Sequence, residues 1–193
     1  MGKKGEDTKT LIRKAATLLF AQKGFKEVTM KDICQNTGLS RGGLYRHYNS
    51  THHIFTEIVD EMMAVQNDEF SSMIESGVSA VFLLNAVLER YRMEMLDSEN
   101  SLSLAIYEYC SGMPDSNNLL SKQYEYAHTM WTNLVQYGIH TNEFNTVDID
   151  AVVDLLIFSY QGVRMYGRIE MVDEKIPARI VNQIKAILLK KGK

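Results

Sequence analysis

Residues 29–48, TMKDICQNTGLSRGGLYRHY, read as two short helices joined by a tight bend. Thr29 is placed to cap the first helix, and Asp32, three positions on, to return the hydrogen bond, while Ile33 and Cys34 give that helix a small inward face. Gly38 permits a positive φ after Asn36 and Thr37, Leu39 plugs the angle between the helices, and Ser40 caps the second. Leu44 and, one turn later, Tyr48 fall on its buried side. The opposite side carries Arg41, Gly42, Gly43, Tyr45, Arg46 and His47. Donors, aromatic rings and nearly absent side chains suit close approach to the wall of a DNA major groove. Adjacent glycines cost roughly 1 kcal/mol each relative to alanine in a helix; a tight fit against phosphate or base edges is one reason for them, a loose helix start the other.

Charge separates this end of the chain from the rest. Residues 1–53 hold seven Lys and three Arg against two Glu and two Asp, a net +6, which leaves −9 for the remainder of a chain of net charge −3. The N-terminal part therefore carries the electrostatic footprint expected for nucleic acid. Lys3, Lys4, Lys9 and Arg13 precede or begin the first helix, and Lys23, Lys26 and Lys31 flank the bend, so that phosphate contact is expected from part of this set.

The same residues resemble the DNA-binding domain of TetR-like bacterial transcriptional regulators. Thr29, Ile33 with Cys34, Gly38 with Leu39, Ser40, Tyr45 and Tyr48 occupy the places of that family's pattern, and AATLLFAQKGF from Ala15 looks like the end of its first helix. Two departures stand out. Cys34 replaces the usual alanine, and Thr51, followed by His52 and His53, stands where a phosphate-touching lysine often opens the fourth helix. Thr51 or Ser50 still offers a cap, and the free amides of that helix start still suit a phosphate. The resemblance covers about the first 55 residues closely and the rest in helical layout alone.

With 193 residues, 45% of them hydrophobic, and two prolines, the chain has ample core material for an all-α protein. The expected organisation is an N-terminal three-helix domain with a helix-turn-helix, residues 1–50, followed by a larger helical ligand-binding and dimerisation domain, residues 51–193. The first helix is expected from Thr8 or Lys9 to Gln22 or Lys23, ended by Gly24. A helix after Ser50 carries Ile54, Phe55, Ile58, Val59, Met62 and Met63 at helical spacing and continues toward Phe70, Met73 and Ile74. Further helices are read over 78–96, 98–112, 119–137 (closed by Gly138), 148–169 and 177–189, with an interruption at Met113 and Pro114.

The last two helices carry wide apolar stripes suited to pairing with their copies in a four-helix dimer interface, as the resemblance also implies. Val153, Ile157 and Val163 on one, and Ile180, Ile184 and Ile187 on the other, are the expected interface residues. A homodimer presents two recognition helices to successive major grooves when they lie roughly 34–36 Å apart, and its target is double-stranded DNA with an approximately palindromic operator. The expected DNA-binding set is Thr29, Ser40, Arg41, Gly42, Gly43, Tyr45, Arg46, His47, Tyr48 and Thr51, with Thr29 and Tyr48 near phosphate or packing behind the interface.

Eleven Met, ten Tyr and one Trp favour an adaptable pocket in the body. Tyr91, Met95, Tyr107, Tyr109 and Tyr124, with Met130, Trp131, Tyr160 and Met165, lie on the central helices where the resemblance implies a ligand cavity. Glu94, Glu108 and Glu125 lie near these aromatics in sequence, a weak pointer to a lipophilic cation beside neutral alternatives. The function so read is a sequence-specific DNA-binding transcriptional regulator, a repressor by resemblance, released from its operator by a small hydrophobic or aromatic effector, with a cation among the alternatives.

Other classes have less support. No linear catalytic motif, Gly-rich phosphate loop or HExxH is present, and no enzyme activity or cofactor is expected. A helical adaptor using the bend for protein contact is the alternative. Cys34 and Cys110 are isolated and the five His are scattered, so neither a disulfide framework nor a metal site is expected. No apolar stretch reaches bilayer-spanning length and the start MGKKGEDTK lacks a secretory apolar middle, so a cytoplasmic protein without membrane contact is expected.

Overall fold

The computed structural model describes residues 3–66, 70–97, 99–112 and 119–190. The described residues form α1 (Lys3–Lys23), α2 (Met30–Thr37), α3 (Arg41–Tyr45), α4 (Thr51–Gln66), α5 (Ser71–Glu75), α6 (Ala80–Leu96), α7 (Ser103–Gly112), α8 (Leu119–His140), α9 (Ile149–Tyr166) and α10 (Lys175–Leu188). The fold is all-α: among the described residues the extended pairing is confined to one isolated bridge, Phe144 to Leu189.

Contacts divide the chain into two units, Met1–Gln66 with Glu99–Asn117, and Asn67–Ser98 with Asn118–Lys193. The first gathers α1 to α4 and α7. The expectation drew the boundary after residue 50, whereas Ile54, Phe55, Ile58 and Val59 of α4 are buried and Phe55 packs edge-on against Phe20 of α1, centroids 4.9 Å apart. Burial of that face makes α4 part of the N-terminal core rather than the start of a separate body. From α7, Tyr109 joins the same aromatic cluster, 5.0 Å from Phe25 and 5.1 Å from Phe55.

The second unit packs α6, α8, α9 and α10 around Leu83, Leu84, Trp131, Leu134, Val153 and Ile184, with α5 against it through Met73 and Ile74. The segment after α8 ties the helices together. Asn145 donates its backbone N–H to Leu188 O at 2.8 Å and its amide to the carbonyls of Ile187 and Leu189. Glu143 accepts from the backbone N–H groups of Ala80 and Val81, both at 3.1 Å, and from the Ser79 hydroxyl, so its carboxylate caps α6. Burial opposes that charge, but these bonds and one from Thr141 hold the Glu143 pKa below its ordinary value.

Several element boundaries differ from expectation for local reasons. α1 starts at Lys3, with Glu6 favourably placed in its first turn. The helix after Ser50 ends at Gln66, and Met73 and Ile74 belong to the separate α5. Gly138 does not end its helix: α8 runs to His140. That glycine instead makes room, because a Cβ there would collide with the Phe144 ring. α10 begins two residues before Pro177, whose missing N–H is no loss in a first helical turn. The expected interruption at Met113 and Pro114 lies outside the described residues.

Candidate nucleic-acid interface

The bend is built by the groups its sequence supplies. Thr29 Oγ1 accepts from Asp32 N at 3.2 Å, while the Thr29 N–H and hydroxyl both donate to Asp32 Oδ2, the former at 2.9 Å. These bonds, with Lys23 Nζ 3.0 Å away, hold the Asp32 pKa well below the usual carboxylate range. Gly38 ends α2 at φ 71°, where a side chain would be strained. Ser40 caps α3 by accepting from Gly43 N at 3.1 Å. Leu44 is fully buried beneath α3 and Ile33 beneath α2, which fixes the outward side of the pair.

That outward side presents Arg41, Gly42, Tyr45 and Arg46, all exposed, Tyr45 at 46%, with the Arg41 guanidinium 6.0 Å from the Tyr45 ring. The two glycines differ. A Cβ at Gly42 would meet nothing within 4 Å, so the side is open to an approaching surface there. At Gly43 a Cβ would lie 3.3 Å from Ser40 Oγ, so its smallness serves the cap itself. His47 is half-buried, and its Nδ1 is buried with no hydrogen-bond partner among the described atoms.

Other members of the expected set stand behind this surface. Thr29 and Ser40 are exposed but their hydroxyls are engaged in caps. Thr51 is half-buried, and Ser50 rather than Thr51 caps α4, its Oγ accepting from His53 N at 3.1 Å. Tyr48 is 1% exposed and its ring packs against His53, so it acts as support with no face for a ligand. Burial pushes its phenol up to about 12, against the opposing pull of Arg13.

The charges of α1 are also used internally. Arg13, 8% exposed, donates to the Tyr48 hydroxyl at 3.2 Å and to Glu57 Oε1 at 2.7 Å, and pairs with Glu61 at 3.0 Å. Lys9 pairs with Glu57 at 3.2 Å and lies 5.1 Å from the Tyr48 ring. Of the cations from part of which phosphate contact was expected, these two instead brace α1 against the α3–α4 corner. The sequence signal missed was Glu57 and Glu61, one turn apart on the helix that α1 packs against. The side chains of Lys3 and Lys4 lie outside the described residues.

The nine expected ligand residues are distributed over both units. Tyr107 and Tyr109 sit on α7 in the first, where Tyr109 OH lies 2.9 Å from His52 Nε2 on α4 and Tyr107 is 55% exposed. The other seven are in the second unit. Tyr91 stacks on Tyr160 with centroids 4.0 Å apart, and Trp131, wholly buried, donates to the Tyr91 hydroxyl at 3.4 Å. Met95 is buried and Met130 packs half-buried against the same core; Met165 is half-buried near the end of α9. Tyr124 donates to Asp154 at 2.6 Å. Of the three glutamates, Glu94 accepts from Tyr160, Glu108 accepts from Lys26 N in the first unit, and Glu125 is exposed. An open depression between α5 and α8, lined by Ile74, Glu75, Gln136, Tyr137 and His140 among others, holds none of the nine.

The expected dimer residues are corrected in part. Val153 at 0%, Ile184 at 2% and Ile157 at 6% exposure are already spent on the core of one chain, and Val163, Ile180 and Ile187 pack half-buried against it. The exposed apolar side chains of α9 are Leu155, Phe158 and Tyr166, with Gly162 open between them. Their spacing of three, then eight, places them on one face opposite Val153 and Ile157. The stripe was legible, but its apolar residues surround α9 too evenly for sequence to say which side the core takes. No helix of the described residues is long and apolar enough to cross a membrane.

Comparisons with known proteins agree with this geometry. Residues 12–58 match the family model described as bacterial regulatory proteins, tetR family. The chain is 28% identical over 148 residues to the HTH-type transcriptional regulator YfiR of Bacillus subtilis strain 168, covering 74% of this chain and 70% of that protein. It is likewise 28% identical over 153 residues to the HTH-type transcriptional repressor KstR2 of Rhodococcus jostii RHA1, covering 78% and 72%. A transcriptional regulator from Saccharomonospora viridis, solved in complex with choline, superposes with a TM-score of 0.76 at 17% identity over 96% of this chain and all of that one. At that identity the likeness is one of fold.

Proposed function

We propose, for a chain that belongs through its N-terminal domain to the TetR family of bacterial transcriptional regulators, that it works as a cytoplasmic homodimeric repressor released from a palindromic operator by a small apolar or aromatic effector. That it is a DNA-binding transcriptional regulator rather than an enzyme follows from the family. The observation that carries the operator contact is the surface of α3: Arg41, Tyr45 and Arg46 project from a helix start whose Gly42 leaves the backbone open. Arginine supplies bidentate donors to guanine or phosphate, and bare backbone lets the helix seat deeply.

Dimerisation rests on the Leu155, Phe158 and Tyr166 face of α9. Three large apolar side chains on one side of one helix, with an open glycine between them, suit close packing against the same face of a second copy, an isologous contact. The pair then offers two α3 helices to one duplex.

Release requires an effector with different affinities for two conformations. The chain runs from α6 of the second unit into α7 of the first and back to α8 of the second. Within the first unit α7 holds the DNA-binding helices through Tyr109 on His52 and Glu108 on the turn after Gly24. Selection of genomic fragments by the purified protein tests the reading. Enrichment of fragments sharing an inverted repeat supports it, and recovery no better than scrambled competitor refutes it.

A further inference from the structure

Resting on that reading, the polar groups beside Tyr160 narrow the effector's chemistry. Tyr160 lies on α9 with its ring stacked on Tyr91 of α6, its hydroxyl donating to Glu94 and accepting from Arg164 Nη1 at 2.9 Å. Glu94 is also within 3.6 Å of Arg90. Arg90 thus takes the Glu94 carboxylate directly, whereas Arg164 reaches it only through the Tyr160 hydroxyl. Arg164 makes no ion pair with a carboxylate among the described residues, and its Nε is buried with no acceptor. The guanidinium already covers the Tyr160 ring, 4.9 Å from its centroid, which is where an organic cation would otherwise stack.

We infer that this corner selects an amphiphile with a carboxylate head group, which pairs with Arg164, while its apolar body lies against the half-buried Tyr91. A buried N–H without an acceptor is costly, and a planar guanidinium without a carboxylate is the group best matched to one. A ligand carboxylate supplies both, on condition that Arg164 turns from Tyr160 and the Tyr160 hydroxyl is left to Glu94. Binding is therefore coupled to repacking between α6 and α9. An organic cation gains nothing here, because the aromatic face and the carboxylate are both occupied by the protein's own arginines.

Three probes of equal chain length test the assignment on the full-length protein: decanoate, decanol and decyltrimethylammonium. The single tryptophan, Trp131, sits one hydrogen bond from Tyr91 and reports binding by its fluorescence. Decanoate is expected to saturate and to bind roughly tenfold or more tightly than the other two. Arg164→Gln removes that preference without changing decanol binding, and Glu94→Gln strengthens decanoate by removing a competing charge. Preference for the ammonium probe, its loss in Glu94→Gln, or the absence of saturable decanoate binding overturns the assignment. Operator binding by the ligand-free wild-type protein is measured on the same preparation: intact operator binding without a decanoate preference overturns this assignment alone, whereas absent operator binding refutes the DNA-binding reading.

Discussion

Arg13 in α1 donates to the hydroxyl of Tyr48, 35 positions away, at 3.2 Å, and the bond closes the corner between the end of α3 and the start of α4. The same guanidinium holds Glu57 at 2.7 Å, and Glu57 holds Lys9. One network therefore fixes the direction in which α3 leaves the domain. Its members are buried or half-buried, so it supports the exposed Arg41, Tyr45 and Arg46 without meeting DNA itself.

Removing parts of this network is expected to lower stability in order of the charge left behind. Tyr48→Phe loses one hydrogen bond and costs about 1 kcal/mol, whereas Glu57→Ala leaves Arg13 and Lys9 without their shared carboxylate and costs about 2 kcal/mol. Urea denaturation of each variant gives the order, and equal costs would contradict it.

Salt dependence separates the two classes of cation. Arg46→Ala is expected to weaken operator binding and flatten its dependence on salt by roughly one counterion. Lys9→Gln is expected to leave that slope unchanged, since Lys9 is engaged by Glu57. Fluorescence anisotropy between 50 and 200 mM salt, roughly the range over which such slopes are steep, reads both.

The acidic limb of stability follows from carboxylates held by donors. Burial raises Glu57 and Glu143, but their hydrogen bonds outweigh it and lower both pKa values, while Asp32 is lowered by Thr29 and Lys23. A folded-state pKa below the unfolded one contributes stability that is complete above the unfolded value, about 4 for Asp and Glu. It is lost as pH falls through the lower, folded values. Thermal unfolding temperature is therefore expected to be insensitive to these groups near neutrality and to fall steeply below about pH 4. Glu143→Gln should flatten that fall.

Glycine substitutions distinguish conformation from contact. Gly138→Ala forces the Phe144 ring to move and is expected to cost about 3 kcal/mol. Gly42→Ala meets nothing in the protein and should stabilise α3 slightly while weakening operator binding. Unfolding curves paired with binding isotherms check both signs.

Local chemistry was fully legible in the bend. Thr29 with Asp32, Gly38 and Ser40 each take the role their spacing implies, because caps and positive-φ turns are decided within a few residues. What depended on distant partners was not. Gly138 looks like a helix stop until Phe144, six residues on, is placed against it. Lys9 and Arg13 look like phosphate ligands until α4 brings Glu57 to them. Val153 and Leu155 are equally apolar in sequence, and only packing of α9 on α6 and α8 buries one and leaves the other 48% exposed.

Two copies joined through the exposed face of α9 are expected to place two α3 helices on one duplex. Titration of wild-type and Phe158→Glu protein onto the selected duplex and onto its isolated half-site, followed by sedimentation of the complexes, tests it directly. The expected result is an even number of wild-type chains on the full site, a loss of affinity of about 100-fold or more on the half-site, and a monomeric Phe158→Glu protein that binds both duplexes equally weakly. A single wild-type chain bound with the same affinity to full and half sites would contradict it.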